Sequence, residues 1–225
     1  MDKTNSRFKI LLFFFIFSLG LIVSFVVIDV FYYSNQLKKS LLDNAVHKID
    51  EREKYLLSSF NTIKNTLLSI RKSKHFNDYL DDNKKYKDDI QDMFTTISRN
   101  DKNIMQFRYI DLDGLENIRI DRKNLNTNVI LIDDKKLQNK SSRYYFKDSK
   151  DKKLEQIWFS NLDLNMEKGK VELPYKPTLR AMLPINKNGN FYGIIIINYF
   201  MKDVLSNLQK TPLYDFILAN EKGNT

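Results

Sequence analysis

Arginines and aromatic side chains, rather than nucleophiles, carry what chemistry this chain offers. None of its 225 residues is a cysteine, and its two histidines, His47 and His75, lie far apart in polar surroundings. Disulfides, thiolate metal sites and cysteine nucleophiles are thereby removed, and no His/Cys cluster remains to hold a metal. A G-x-S-x-G elbow, an H-E-x-x-H helix and a glycine-rich phosphate loop are missing as well. Asp111, Asp113, Asp121, Asp133 and Asp163 are spaced as turn and surface residues, not as an acid–base pair. The expectation is a segment without catalytic function and without a cofactor. Binding has positive content. Arg119 and Asp121 point away from Ile118 and Ile120, Arg143 heads the aromatic run Tyr144-Tyr145-Phe146, and Arg180 stands on the opposite side of its strand from Leu179 and Ala181. Tyr145, Trp158 and Tyr175 are placed to wall a space between them. A guanidinium fork matches two carboxylate or phosphate oxygens. Arg119, Asp121, Arg143, Tyr145, Trp158, Tyr175 and Arg180 are therefore the candidate ligand-binding residues, with a small molecule, an anion included, as the ligand. The competing reading makes Arg119 a structural partner of Asp121 or Glu172 and leaves the aromatics as a cover for the sheet.

The elements that must position these residues begin where helical periodicity gives way to alternation at Ile104. IMQFRYI places Met105, Phe107 and Tyr109 on one side and Gln106 and Arg108 on the other; DLDG turns the chain and LENIRIDR returns it as a hairpin. The DLDG turn lacks the further acidic ligands of a calcium loop. Residues 123–153 are polar and irregular, with a short helix expected at LQNK and an aromatic knot at residues 143–146. IWFSNLDLN reads as a strand, GKVELPYKP as an extended crossover, TLRAMLPI as a strand, NKNGN as a turn and FYGIIIINYF as a buried strand. MKDVLSNLQK is a short helix, and LYDFILANEKGN reads as the first strand of a further sheet.

Ahead of the sheet the chain is helical. Residues 10–28, ILLFFFIFSLGLIVSFVVI, carry no charge, and 19 residues at ~1.5 Å per residue span roughly 28 Å, close to the ~30 Å hydrocarbon thickness of a bilayer. Lys3, Arg7 and Lys9 precede this run, whereas Asp29, Phe31, Tyr32 and Tyr33 follow it without a small-residue cleavage site. An uncleaved anchor with a cytoplasmic N-terminus is expected. Leu37, Leu41, Ala45, Ile49, Leu56, Phe60, Ile63, Leu67 and Ile70 continue it as one amphipathic helix, suited to its own domain or to the same helix in a homodimer. Shorter helices are expected at residues 75–80 and 84–98. The formal charge of +9 is spread among interleaved acids and bases that make up 29% of the chain, a solvated surface rather than a nucleic-acid stripe. The expected partners are thus a small-molecule ligand, the lipid bilayer and a second copy of the chain, with no nucleic acid.

This order resembles the double Cache, PAS-like extracytoplasmic sensor family of bacterial histidine kinases, diguanylate cyclases and chemoreceptors, in particular its LuxQ-like branch. The resemblance is carried by Phe107-Arg108-Tyr109-Ile110-Asp111 with Gly114 and residues 117–122, by residues 137–145 (LQNKSSRYY), and by residues 157–164, 169–177 and 193–199. It implies an α+β fold: a transmembrane helix, a long amphipathic helix, then a PAS-like antiparallel sheet flanked by helices. The expected division is a cytoplasmic N-terminus at 1–9, an anchor at 10–33, a stalk helix and helical cap at 34–100, a membrane-distal sensor module at 101–210 and the start of a truncated proximal module at 211–225. It further implies a sensor in the bacterial inner membrane with its sensing region periplasmic, which binds a small molecule and passes a helix displacement across the membrane. A module that binds a periplasmic protein, or a non-signalling anchored remnant, is the alternative. The aromatic and aspartate pattern of amino-acid-binding double Cache domains is absent, so that ligand class does not carry over.

Overall fold

The computed structural model describes residues 3–167, 170–210, 216–219 and 223. The chain divides into two units, Met1–Lys54 and Tyr55–Thr225. Helix α1 is assigned to Lys3–Lys72 and contributes to both. In the first unit its side chains from Phe8 to Tyr33 are exposed, and this helix is long and apolar enough to cross a membrane. The two hydroxyls inside the apolar run bond to the helix backbone, Ser18 to the Phe15 carbonyl at 2.9 Å and Ser24 to the Gly20 carbonyl at 2.8 Å. Neither hydroxyl proton is left unsatisfied on this apolar surface.

In the second unit α1 buries Ile63, Leu67 and Ile70, spaced three and four apart on one stripe. Helix α2 (Lys74–Asp81) starts at Ser73, whose hydroxyl accepts from the Phe76 amide at 3.2 Å. Helix α3 (Lys87–Asn100) has Asp88 and Asp89 in its first turn, and the Arg122 guanidinium donates to the Ser98 and Asp101 carbonyls at its other end. Acid at the start and a cation at the end both oppose the helix dipole.

The strands are β1 (Ile104–Asp111), β2 (Glu116–Arg122), β3 (Val129–Leu131), β4 (Trp158–Phe159), β5 (Asp163–Leu164), β6 (Met166–Glu167), β7 (Lys170–Val171), β8 (Pro177–Lys187) and β9 (Asn190–Phe200). The main sheet runs in the order β3-β2-β1-β9-β8-β4, with β5 also beside β8; β6 and β7 form a separate ribbon. Paired strands are antiparallel. Helices α4 (Tyr144–Asp151) and α5 (Lys202–Gln209) complete the α+β, Cache/PAS-like architecture.

The sheet has two unlike faces. Ile104, Phe107, Tyr109, Ile118, Ile120, Ile195, Ile197 and Tyr199 enter one core with α1, α2, α3 and α5. On the other face Ile110, Met182, Ile194 and Ile196 pack with Tyr145 and Phe146 of α4. At the first core's centre Phe94 stacks on Phe107, ring centroids 3.9 Å apart. Phe76 and Tyr79 meet Tyr109 edge to face, each at 5.6 Å.

Four local expectations are corrected. Residues 137–140 (LQNK) form no helix: a single 3-10 turn, Asp134–Lys136, precedes them, and the Asn139 backbone bridges to Leu115. The aromatic knot is no loop, since Tyr144 opens α4. IWFSNLDLN is two short strands, β4 and β5. Met105 does not share the core of Phe107 and Tyr109; a bulge between Ile104 and Gln106 against β9 gives that place to Ile104. Leu213 to Asp215 of the expected final strand lie outside the described residues, and Phe216 to Ala219 have no regular secondary structure.

Phe107→Ala should cost about 3–5 kcal/mol, because its ring is fully buried against Phe94; the urea midpoint of the wild-type and variant chains followed by circular dichroism measures it. Burial pushes the hydroxyls of Tyr79, Tyr109 and Tyr199 above the ordinary tyrosine value of 10.0. The folded chain thus keeps protons that the unfolded chain releases, so this contribution is intact below pH ~10 and is lost as pH rises beyond it. Tyrosinate absorbance and loss of helical ellipticity should rise together in an alkaline titration; ionisation of these tyrosines in a still-folded chain would contradict the burial.

Candidate functional site

Register places one polar row across the sheet's outer face. Arg180 on β8 pairs with Asn198 on β9, Asn198 with Gln106 on β1, and Gln106 with Asp121 on β2. One step along, Arg108 pairs with Arg119. Because side chains alternate, these residues share the face on which α4 packs. Where α4 ends its coverage, a cavity of about 220 Å³ opens over the row.

Gln106, Arg108, Arg119, Gln138, Asn139, Lys140, Arg143, Tyr145, Asn165, Met166, Arg180 and Asn198 line it. Five of these are cationic, and Arg108 and Arg180 are only 2% and 3% exposed. Arg108 donates from Nη2 to Asn198 Oδ1 at 2.9 Å, and from Nη1 to Tyr145 Oη at 3.3 Å and Glu116 Oε1 at 3.4 Å. Asn198 donates in turn to Gln106 Oε1 at 2.9 Å. Arg119 grips Asp121 with both ends of its fork, Nε to Oδ1 at 2.8 Å and Nη2 to Oδ2 at 2.6 Å. Arg180 donates from Nη1 to Asp163 Oδ1 at 2.6 Å.

Glu116 sits behind the cavity with no exposed side-chain surface. Its carboxylate is 3.4 Å from Arg108, 3.5 Å from Arg119 and 3.8 Å from Lys140, and it accepts from the Gln138 amide at 3.1 Å. Burial pushes the Lys140 ammonium below its ordinary value; Glu116 opposes that shift, and the Arg108 and Arg119 charges reinforce it. The wall bearing Gln138, Asn139 and Lys140 is tied to the DLDG turn, since the Lys140 amide donates to the Gly114 carbonyl at 2.6 Å and the Glu116 amide to the Gln138 carbonyl at 3.0 Å. Gly114 has φ +84°, and a Cβ there would lie 2.6 Å from Ser141 Cα.

Two flanking cavities adjoin the first. One of about 200 Å³ shares Arg143, Met166 and Arg180 with it, and one of about 400 Å³ shares Gln106, Arg119 and Asn165. The structure thus brings Arg119, Arg143, Tyr145 and Arg180 together and separates the other three candidates. Asp121 faces the larger flanking cavity while bound to Arg119. Trp158 packs into the α4 cluster and donates from Nε1 to Ser149 Oγ at 3.3 Å. Tyr175 is 65% exposed and lines none of these cavities. Arg108, Gln106 and Asn198 were missed as site residues. Alternation already set Gln106 and Arg108 opposite Phe107, and Asn198 is the one polar residue of its kind inside the GIIIINYF strand.

Residues 47–219 match the family described as bacterial histidine kinase, sensor domain, and the chain belongs to that family, one of sensing rather than catalytic modules. Among solved structures it is similar to the domain of a sensory box/GGDEF family protein from Vibrio parahaemolyticus, 28% identical over 77% of this chain with a TM-score of 0.65. The extracellular domain of the histidine kinase vpHK1S-Z8 matches equally, 28% over 77% with a TM-score of 0.65. The chain spans 65% and 62% of the length of these two domains. The sensory domain of the Campylobacter jejuni chemoreceptor Tlp3 shares the fold at 14% identity, a TM-score of 0.60, and coverage of 79% of this chain and 68% of that one. No curated protein matches the chain.

Glu116→Gln should destabilise the chain by about 3–5 kcal/mol, because it strips the nearest carboxylate from buried Arg108 while the guanidinium stays charged. Urea unfolding at neutral pH in low-anion buffer reads the loss. An unchanged midpoint would show that this carboxylate does not hold the cluster.

Proposed function

We propose that the second unit is the ligand-sensing region of a bacterial membrane receptor and that its ligand is a small anion seated in the cavity over β1, β2, β8 and β9. The observation that carries this reading is the convergence of Arg108, Arg119, Lys140, Arg143 and Arg180 on one cavity. Arginine forks recognise acid oxygens by direction as well as by charge, and the low dielectric around buried guanidinia strengthens that attraction. Tlp3 structures with isoleucine and with L-valine bound support a small-molecule role for the fold.

The apolar run of α1 serves as the anchor, with Lys3, Arg7 and Lys9 on the cytoplasmic side and the sensing region outside. Ligand favours one of two conformations, and the preferred state shifts α1 along or across the membrane; a ligand with equal affinity for both would shift nothing. The exposed stripe Leu37, Leu41, Leu42 and Ile49 suits pairing of two copies through this helix. The output would be a kinase, a diguanylate cyclase or a chemotaxis signalling domain, and the segments around Phe107, Arg143 and Gly193 favour the LuxQ-like branch. A second reading, a docking face for a periplasmic protein, draws on exposed Leu164, Met166, Val171, Leu173 and Tyr175 beside the cavity.

A thermal-shift screen of the 225-residue chain in detergent against carboxylates, amino acids, amines, purines and sugars tests the proposal. A ligand at ~100 times its dissociation constant adds about 2.7 kcal/mol of stability. Arg143→Ala should remove most of the ligand-induced rise and leave the unliganded melting temperature within a degree or so, because its guanidinium pairs with no carboxylate among the described residues. Stabilisation by amines or sugars but not by acids would refute the anion site, and no stabilisation by any class would favour a protein partner.

A further inference from the structure

Cationic side chains stand at two separated places in the cavity. At one, Arg180 gives Nη1 to Asp163 and Tyr144, while its Nε and Nη2 make no hydrogen bond to a described residue. Next to it, the Arg143 guanidinium carbon lies 5.9 Å from the centre of the Tyr145 ring, and its side chain makes no hydrogen bond or ion pair to a described residue. At the other, Lys140 donates to Gln138 Oε1 at 2.6 Å and shares the lining with Arg108, whose Nε is buried with no hydrogen-bond partner among the described residues. A buried donor left unpaired costs free energy that an incoming oxygen recovers. Arg180 is on β8 and Arg108 on β1, with β9 between them. Two interstrand intervals put the two backbones roughly 10 Å apart, and their long side chains share one cavity.

The remaining lining restricts the ligand further. The amide oxygens of Gln106, Asn198, Gln138 and Asn139 already accept from Asn198, Arg108, Lys140 and Ser141 respectively, while Asn165, which donates to Glu172, keeps its amide oxygen unoccupied among the described residues. No carboxylate lines the cavity among the side chains that the structure describes. An ammonium would meet five cationic side chains and a single unoccupied amide oxygen, too few acceptors for its three protons. Among the described residues only Tyr145 and Met166 offer apolar surface, too little to wall a long hydrocarbon tail.

We propose that the ligand is a short dicarboxylate without an ammonium group, one acid at the Arg143–Arg180 pole and the other at the Arg108–Lys140 pole. This rests on the anion-site reading above and narrows it to a ligand class.

Calorimetric titration of the 225-residue chain in detergent with succinate, butyrate, L-aspartate and inorganic phosphate is the test. The first three probes share a carbon skeleton and differ in the second acid and the ammonium. Succinate should bind at least about tenfold more tightly than butyrate and than L-aspartate, a difference of about 1.4 kcal/mol. Arg143→Gln and Lys140→Gln, both at the cavity rim, should each bring the succinate-to-butyrate ratio close to one. Butyrate or L-aspartate binding as tightly as succinate would overturn the dicarboxylate and leave the anion site standing. Phosphate binding more tightly than succinate would overturn the two-pole arrangement. A ratio unchanged in both variants would overturn the assignment of the poles, and binding of none of the four would overturn the anion site itself.

Discussion

A carboxylate with no exposed surface lets this domain keep several guanidinia and an ammonium on one buried sheet face. Without Glu116 the Arg108 and Lys140 charges would have to be hydrated, and the face would have to open to water. With it, Arg108 stays buried and fixed, its donors aimed by Asn198 and Tyr145. Fixed donors lose little freedom when a ligand arrives, which is the physical basis of a selective site.

The two faces of the sheet divide the labour. The helical side is filled by aromatic and branched side chains and supplies the stability. The α4 side is half filled, and the unfilled half is the cavity. Period-two alternation along β1, β8 and β9 enforces the separation, since a one-residue slip would bury Gln106, Arg108 and Asn198 among the helices. The bulge at Met105 repairs the register where β1 enters the sheet, so the first core receives Ile104 while the polar row keeps its place.

Alternation was legible in the sequence and took the reading a long way. The hairpin, the buried strand FYGIIIINYF, the outward set of Arg119 and Arg180 and the helix ahead of the sheet all followed from spacing. What escaped it depended on tertiary contact. The bulge at Met105 arises from pairing with β9 nearly a hundred residues later, and nothing local marks it. LQNK carries helix-compatible residues, yet the bridge from Asn139 to Leu115 holds it extended. Tyr175 and Trp158 have the right chemistry for a pocket wall, but Tyr175 lies beyond Pro174 on an exposed crossover and Trp158 belongs to the α4 cluster. Arg108 was set opposite Phe107 and passed over, because only the folded sheet shows that its Nε is buried without a partner among the described residues.

The DLDG turn has the look of a surface loop in which sequence could drift freely. Its glycine touches Ser141, and its carbonyl holds the segment that carries Lys140. The turn is therefore a hinge pin for one wall of the cavity, and its glycine answers to that wall as well as to the hairpin, whose turn requires its positive φ. Among related chains, change at this position would be expected to travel with change in residues 138–141 and in ligand preference, two features that a reading of the hairpin alone would treat as unconnected.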